Sequence, residues 1–298
     1  MENLLNFLKE NSKNFLNKEI QKDREACTYL FYGREGSNHL EIALYFISKL
    51  FCKGDKNCET GFYQKLPSSV HILEPKEEQI IKREDIKEII NIASHSSFSN
   101  KKFFIINSIE RMREDGWNTL LKTLEEPSSS IFILLSFNSR IPATLLSRAL
   151  SLDLSPNLDN VEDKELFEFL NGNLKDYLNF RKEDLKLDKL EILALDKALE
   201  NYSFEKNIKN KSIFIKSITE FTKNVKNYNK IDKILLADKL ENIIDKNREL
   251  LYEFISIVID NFCNLNKNDI EYYMFLKDCV YKNVNISLIL INFLINLS

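Results

Sequence analysis

Glycine and proline are scarce in this 298-residue chain, which contains six Gly and five Pro. Average composition is about 12% for these two residues together, so collagen-like, linker-like and loop-rich disulfide architectures are excluded. Their distribution also divides the chain, because all five Pro lie within the first 156 residues and no Gly follows Gly172. We therefore expect an N-terminal half interrupted by turns at Gly and Pro, and a C-terminal part built from helices.

Cysteine, net charge and long apolar runs are also limited. The five Cys are too few for a disulfide framework in a chain of this length, and their odd number argues against full pairing. The N-terminus lacks the basic start and apolar core of a signal peptide, and the longest apolar stretch, 286–297, is shorter than the ~18–20 residues that span a bilayer. We expect a cytoplasmic protein with no membrane contact. A net charge of −3 gives no bulk attraction to nucleic acid, so DNA contact requires a local basic patch or basic partners.

Short apolar runs alternate with helical patterns over the N-terminal half. The runs that predict strands are at 28–32, 70–73, 103–106 and 131–135, with a last short one leading to Leu154. The segments that predict amphipathic helices are 1–22, 40–52, 83–93 and 117–124. Strands alternating with helices predict an open α/β sheet with helices on both faces.

Beyond Pro156 the apolar positions follow helical spacing. The helical segments are 166–170, 185–199, 213–221, a long periodic stretch at 231–262 and a final helix at 286–297. The fold class predicted is α/β followed by all-α. We predict three parts: an α/β module at 1–156, a small helical module at 157–203 and a larger helical domain at 204–298.

Gly33 and Gly36 lie between the first strand and the next helix, at the position and length of a Walker A phosphate loop. The working form is GxxxxGK followed by Ser or Thr: the backbone cradles phosphates, the Lys reaches them and the hydroxyl ligates Mg²⁺. Here the last Gly is Asn38, the Lys is His39 and the hydroxyl residue is Leu40. His39 is short and mostly neutral at pH 7, and Leu40 cannot ligate a cation.

The Walker B position is changed as well. A Walker B strand ends in Asp-Glu, which hold Mg²⁺ and activate water, but the run at 103–106 is followed by Asn107 and Ser108. Neither residue carries charge. These substitutions predict a strand-to-helix turn that binds no cofactor, and we expect no ATP hydrolysis by this chain alone.

Two further segments resemble a known family. Residues 117–127, WNTLLKTLEEP, resemble the NALLKTLEEP signature of bacterial DNA polymerase III clamp-loader subunits, and Ser147-Arg148-Ala149 resembles their Ser-Arg-Cys motif. Supporting matches are TYLFYG at 28–33, REDIKEI at 83–89 and the segment 105–112. The resemblance covers residues 1 to about 155 and extends more weakly to the C-terminal helix.

The resemblance implies an AAA+ module, a lid at 157–203 and a helical collar at 204–298 that joins a five-subunit ring. In the family, the gamma/tau and delta subunits complete this ring, which places the sliding clamp on primer–template DNA. Degraded Walker motifs beside an intact Ser-Arg resemble the family's non-hydrolysing subunit.

Arg148 is the residue for which the resemblance implies chemistry. In the family, this arginine projects toward ATP held by the adjacent gamma subunit and acts in trans as an arginine finger, a permanently charged planar group that stabilises γ-phosphate charge. Ser147 is expected to aim Arg148 by hydrogen-bonding the local backbone. Ala149 departs from the family's Cys. The alternative for Arg148 is an ordinary surface ion pair.

One hypothesis for the charged residues Lys122, Glu125 and Glu126 is a catalytic role, with two carboxylates acting beside a lysine. We favour a solvated helix face, with Pro127 ending the helix.

Cys52 and Cys58 fall in the region where many relatives carry a four-Cys zinc site. A structural zinc site needs four ligands, and neither a CxxC pair nor a nearby His accompanies these two residues. We expect no bound metal.

Two other functions stay open on the sequence. One is an autonomous P-loop ATPase or nucleotide kinase with an atypical phosphate loop, which binding of ATP with Mg²⁺ to the isolated chain would reveal. The other is a standalone nucleic-acid-binding AAA+ relative, which the acidic balance disfavours.

Overall fold

The computed structural model describes residues 2–24, 26–34, 36–75, 80–94, 101–125, 130–137, 141, 143–245, 247–261, 267–280 and 284–297. Two residues named above, Glu126 and Pro127, lie outside these ranges. The strands are β1 (Cys27–Tyr32), β2 (Val70–Leu73), β3 (Lys102–Ile106), β4 (Ser130–Ser136) and β5 (Leu150–Asp153). The helices of the N-terminal half are α1 (Glu2–Leu5), α2 (Glu10–Lys22), α3 (His39–Cys52), α4 (Lys56–Gln64), α5 (Arg83–Ser94), α6 (Glu114–Glu125) and α7 (Ala143–Leu146). The C-terminal helices are α8 (Lys164–Phe169), α9 (Leu174–Lys182), α10 (Leu195–Phe204), α11 (Ile208–Asn224), α12 (Lys230–Ile244), α13 (Arg248–Asn261), α14 (Lys267–Cys279) and α15 (Ile286–Asn296).

The five strands form one parallel sheet in the order β2-β3-β4-β1-β5. Tyr29 of β1 is level with Ile133 of β4 on one side and with Leu150 of β5 on the other. Because successive side chains of a strand point to opposite faces, each face carries its own apolar cluster. Tyr29 and Phe31 pack with α3, whereas Leu30 packs on the other face with α5 and α6. The predicted α/β sheet with helices on both faces is confirmed.

The chain divides into two compact units, each with its own buried side chains. The first unit comprises residues 1–164 together with 173–175, and contains the sheet. The second comprises 165–172 and 176–298 and is helical. Its largest fully buried side chains are Tyr177, Phe180, Phe214, Phe254 and Phe293.

The single helix predicted at 1–22 is wrong, because the structure has α1 and α2 with a break between them. The cause is tertiary pairing of the intervening residues. Leu8 forms an antiparallel bridge with Pro156, and the N–H of Asn157 donates to the carbonyl of Phe7 at 2.6 Å. A backbone paired in this way cannot also complete helical hydrogen bonds.

The helical patterns at 185–199 and 231–262 are each interrupted. Lys216 Nζ donates to the carbonyls of Leu187 and Leu190, at 2.9 and 2.7 Å, and the segment forms only a 3₁₀ turn, Leu187–Lys189, before α10 begins. The long stretch divides into α12 and α13, because Asp245 has a φ of 46° and Asn247 Oδ1 then accepts from the N–H of Leu250. Apolar periodicity alone did not predict either break.

Cys52 at the end of α3 and Cys58 in α4 form a disulfide, which the sequence analysis did not predict. Helix α4 itself was also missed. Over the described part of the chain, no helix is long and apolar enough to cross a membrane.

Candidate functional site

The degenerate phosphate loop follows β1 at the edge of the sheet where the parallel strands end. The N–H of Gly33 donates to the carbonyl of Ser136 at 3.2 Å, and the N–H of Leu154 donates to that of Tyr32 at 2.7 Å. The loop therefore begins between the ends of β4 and β5. Ligands of open α/β sheets bind at this edge, so the loop has the placement of a phosphate site.

The side chains of the loop do not have the chemistry of such a site. Ser37, Asn38 and His39 are all buried, and their polar side-chain atoms Ser37 Oγ, Asn38 Nδ2 and both His39 ring nitrogens have no hydrogen-bond partner among the described residues. Asn38, where a working loop has Gly, has a φ of 56° and does not cap α3 with its side chain. Leu40 is partly buried and packs against the apolar cluster that contains Phe46.

His39 occupies the position of the phosphate-binding Lys. Its ring lies edge-on to Phe137 with centroids 4.6 Å apart, and it is 2% exposed. Burial lowers the pKa of His39 from 6.5 to about 4, against a smaller opposing effect of Asp153. The side chain is therefore neutral at pH 7 and supplies no positive charge to the loop.

Gly36 is held by a segment distant in sequence. Its carbonyl accepts from the N–H of Lys175 at 3.0 Å, and Lys175 Nζ lies 3.5 Å from Glu41 of α3. Gly36 has a φ of 82°, and a Cβ there would come within 2.1 Å of Asn173 Oδ1. The sequence carries no signal for this long-range contact, which places residues 173–175 directly against the loop.

Strand β3 ends at Ile106 and is followed by Asn107 and Ser108, the two residues predicted as a degenerate Walker B. Asn107 Nδ2 donates to Glu74 Oε1 at 3.0 Å, which ties it to the end of β2. Ser108 is buried and has a φ of 55° at the start of a 3₁₀ turn, Ile109–Arg111.

Glu110 is a carboxylate near this edge that the sequence analysis missed. Its Oε2 accepts from Ser136 Oγ and from the N–H of Phe137, both at 3.3 Å, at the end of β4. Removal of its carboxyl group from water raises the pKa of Glu110, and these hydrogen bonds partly oppose that rise. The sequence offers little indication of this role, since Glu110 lies two residues beyond Ser108, where a Walker B motif has its Glu.

Arg148 lies in the turn between α7 and β5. Leu145 is fully buried and anchors the turn, and the N–H groups of Arg148 and Ala149 both donate to its carbonyl at 3.0 Å. Ser147 Oγ donates to the carbonyl of Thr144 at 3.0 Å and accepts from Arg148 Nη1 at 3.1 Å. Ser147 thus contacts both the local backbone and the guanidinium.

The guanidinium of Arg148 is paired with Glu125 at the end of α6. Arg148 Nε donates to Glu125 Oε1 at 2.8 Å, and Nη2 donates to the same oxygen. The Arg148 side chain is 30% exposed and that of Glu125 is 49% exposed. Glu125 therefore contacts the guanidinium of Arg148, whereas Lys122 lies exposed on the same helix.

The Arg148 turn lies where the parallel strands begin, and the phosphate loop lies where they end. Arg148 precedes β5, whose first residue Leu150 is level with Tyr29, whereas the loop begins after Tyr32. The four residues from Tyr29 to Gly33 correspond to about 13 Å along a strand. Arg148 comes two residues before Leu150, beyond the end of β5 that is farther from the loop. It therefore does not form part of the same site.

Cys52 and Cys58 are bonded to each other rather than arranged around a metal position. Among the described residues, no group of three or more His, Cys, Asp or Glu side chains is placed to hold a metal ion.

A parallel sheet of order β2-β3-β4-β1-β5, a phosphate-loop position after β1 and a helical C-terminal region define an AAA+-type fold. A solved structure agrees: the chain superposes on a DNA polymerase III gamma subunit-related protein from Thermotoga maritima with a TM-score of 0.61 at 20% identity, covering 94% of this chain and 96% of that one.

The chain belongs to the family described as DNA polymerase III, delta subunit, whose family model matches residues 8–158. The resemblance to clamp-loader subunits is thereby confirmed.

Curated relatives agree with this assignment. DNA polymerase III subunit delta' of Bacillus subtilis is 29% identical over 174 residues, which are 55% of this chain and 53% of that protein. DNA polymerase III subunit gamma/tau of Mycoplasma genitalium is 23% identical over 297 residues, 93% of this chain and 46% of that protein. The chain therefore spans about half the length of these relatives.

Proposed function

We propose that this chain is a non-hydrolysing, delta prime-type subunit of a bacterial DNA polymerase III clamp loader, and that it supplies Arg148 in trans to ATP held by the adjacent gamma/tau subunit. The observation that carries the proposal is the position of Arg148 at the sheet edge opposite the chain's own loop. An arginine placed there cannot serve that loop, so a phosphate that it contacts must come from another molecule.

The chemistry of the loop supports the non-hydrolysing part of the proposal. A working site brings a Lys and Mg²⁺ to the phosphates, but His39 is neutral at pH 7 and the partly buried Leu40 has no cation-binding group. Asn107 and Ser108 carry no charge where Mg²⁺ would be held.

The proposed partners are the gamma/tau and delta subunits in a hetero-pentamer, with the sliding clamp and primer–template DNA reached through that complex in the cytoplasm. We assign residues 1–156 to the AAA+ module, 157–203 to the lid and 204–298 to the collar. Exposed apolar side chains in 204–298 support an oligomerisation role, since large exposed apolar groups mark interaction surfaces. They include Ile231, Leu235, Phe275 and Leu288, each more than half exposed.

Replacing Arg148 by Ala in a reconstituted complex tests the proposal. We expect assembly to be retained and clamp- and DNA-stimulated ATPase activity to fall, because loss of an arginine finger costs about 10³-fold or more at the site it serves. Steady-state ATP hydrolysis and size-exclusion chromatography measure the two properties. The control is Lys122→Ala, which removes a positive charge from an exposed position on α6. Wild-type activity in the Arg148→Ala complex would contradict the finger role.

Titration of the isolated chain with ATP and Mg²⁺ separates this proposal from an autonomous P-loop ATPase or nucleotide kinase. We expect no heat of binding at micromolar concentrations, because His39, at the position of the phosphate-binding Lys, is neutral at pH 7 and Leu40 cannot ligate Mg²⁺. Micromolar affinity, or hydrolysis by the isolated chain, would favour the enzyme.

A further inference from the structure

The guanidinium of Arg148 is almost fully engaged within its own chain. A guanidinium has five N–H donors. Nε and one Nη2 hydrogen are directed to Glu125 Oε1, while Nη1 donates to the carbonyl of Thr144 at 2.8 Å and to Ser147 Oγ at 3.1 Å. Among the residues that the structure describes, the second Nη2 hydrogen has no acceptor.

A single free N–H is not enough for the contact that the proposed function requires. Arginine frequently binds phosphate in a bidentate manner, through two parallel N–H groups. The edge of the guanidinium that carries Nε and Nη2 offers such a pair, and both of its nitrogens donate to Glu125. Glu125 and a phosphate would therefore compete for the same edge of the guanidinium.

We propose that Glu125 is the resting partner of Arg148 and releases it when a phosphate-bearing neighbour docks. The inference rests on the proposed function, because the incoming phosphate is the one held by the adjacent subunit. The Nη1 contacts with Thr144 and Ser147 do not involve Glu125, so they keep the guanidinium at its turn while the other edge exchanges carboxylate for phosphate.

The exposure of the pair makes this exchange readily reversible. Both side chains reach solvent, at 30% for Arg148 and 49% for Glu125. The coupling free energies that double-mutant cycles give for exposed ion pairs correspond to shifts of about two- to fivefold in an equilibrium. A phosphate carries more negative charge than one carboxylate, so it can displace Glu125 without disrupting the fold.

The resting pair is tested first in the isolated chain, where no neighbour is needed. Phenylglyoxal modifies accessible guanidinium groups, and mass spectrometry of the peptide that contains Arg148 gives the rate. We expect Glu125→Gln and Glu125→Ala to raise that rate about two- to fivefold. Glu114→Gln is the matched control, because it removes the same charge from the other end of α6. Equal rates in all four proteins would overturn the resting pair.

The exchange is tested in the reconstituted complex. Glu125→Gln should raise apparent ATP affinity at the served site, or ATPase activity below saturating ATP, about two- to fivefold. In an Arg148→Ala background the same change should have no effect. Lower activity in Glu125→Gln alone would overturn the competitor role and make Glu125 a positioning residue.

The two proposals fail in different ways. If Arg148→Ala leaves the ATPase activity of the complex unchanged while Glu125→Gln still raises phenylglyoxal reactivity, the trans role is wrong, and the exchange fails with it, although the resting pair stands. If Arg148→Ala lowers activity but Glu125→Gln changes neither reactivity nor ATP affinity, the trans role stands and the resting partner is wrong.

Discussion

At the scale of single residues, the loop at 33–40 has the placement of a phosphate site but carries His at the position of the Lys. The loop follows β1 where a phosphate site belongs, but His39 stands at the position of the Lys, where it is buried and lies edge-on to Phe137. A buried imidazole avoids charge because desolvation penalises the charged form. The absence of charge on residue 39 at pH 7 therefore follows from both the residue type and its burial.

His39 is expected to make the stability of the chain depend on pH. Its pKa is about 4 in the folded chain and near 6.5 when unfolded, so between these values the unfolded state binds more protons. The free energy of unfolding is fully retained above pH 6.5 and falls by about 3 kcal/mol as the pH drops to 4. Urea denaturation of wild type and His39→Leu from pH 7 to 4 isolates this contribution.

NMR titration of the His39 ring provides the check on that interpretation. A midpoint near 4 is expected. A midpoint near 6.5, together with parallel pH profiles for the two proteins, would show that the ring is solvated.

At the scale of secondary-structure elements, α3 connects the loop to a part of the module that the sequence analysis overlooked. Its far end is joined to α4 by the Cys52–Cys58 disulfide, by Lys49–Glu59 at 2.7 Å and by Ser48–Tyr63 at 2.9 Å. Asp55 caps α4 by accepting from the N–H groups of Asn57 and Cys58. These contacts give a short helix of low intrinsic apolarity a fixed position against α3.

Reducing the disulfide should lower the free energy of unfolding. Cross-linking residues six apart restricts the unfolded chain, and the loop-entropy relation gives about 2 kcal/mol for so short a loop. Urea denaturation with and without reductant measures the difference, and the Cys52→Ser, Cys58→Ser double variant should match the reduced protein. Cys27→Ser is the control, because Cys27 is a free thiol.

Alkylation before reduction tests whether the bond exists in protein purified without reductant. Cys52 and Cys58 should resist alkylation until reduced, whereas Cys27 should not require reduction. Alkylation of all three without reductant would contradict the disulfide.

At the scale of the whole molecule, two compact units rely on different interactions. The first is organised by the sheet. In the second, Lys211 lies between Asp176 and Glu253, at 2.8 and 2.6 Å, with all three side chains mostly buried. Burial by itself lowers the pKa of Lys211, but Glu253 and Asp176 outweigh it and raise that pKa, so the lysine stays charged.

Replacing Lys211 by Met should destabilise the helical unit selectively. Two mostly buried carboxylates would lose their cation, which costs about 3–5 kcal/mol for a buried pair. Hydrogen exchange should accelerate in α11 and α13 and stay unchanged in β1 and β4. Lys206→Met is the matched control, because the exposed Lys206–Glu249 pair, at 3.8 Å, is worth less than about 1 kcal/mol. Equal acceleration in both units would contradict the selectivity.

The elements that the sequence predicted best are those whose local pattern and tertiary role agree. The runs at 70–73 and 103–106 became β2 and most of β3, because a continuous apolar run is what a buried parallel strand requires. Helices at 1–22, 185–199 and 231–262 were wrong in extent, because contacts such as that of Leu8 with Pro156 hold the backbone outside a helix. Such contacts join residues far apart in sequence and leave no periodic signal.

The features of the candidate site also divide into those that the sequence predicts and those that depend on tertiary contacts. The sequence alone shows the local motifs, namely the substitutions Asn38, His39 and Leu40 and the motif around Arg148. It does not show the contact of Asn173 with Gly36, the position of Glu110 or the pairing of Arg148 with Glu125. They depend on which elements the sheet order brings together.

The scarcity and placement of Gly and Pro determined by themselves that an α/β half precedes a helical one, because these residues mark turns and are costly inside helices. The motif residues likewise determined the family. Only the tertiary structure decided that the Ser-Arg turn lies at the sheet edge opposite the phosphate loop and that its guanidinium is held by Glu125. The reason is that a parallel sheet places the start of one strand beside the start of its neighbour, so the two ends of one strand serve different sites.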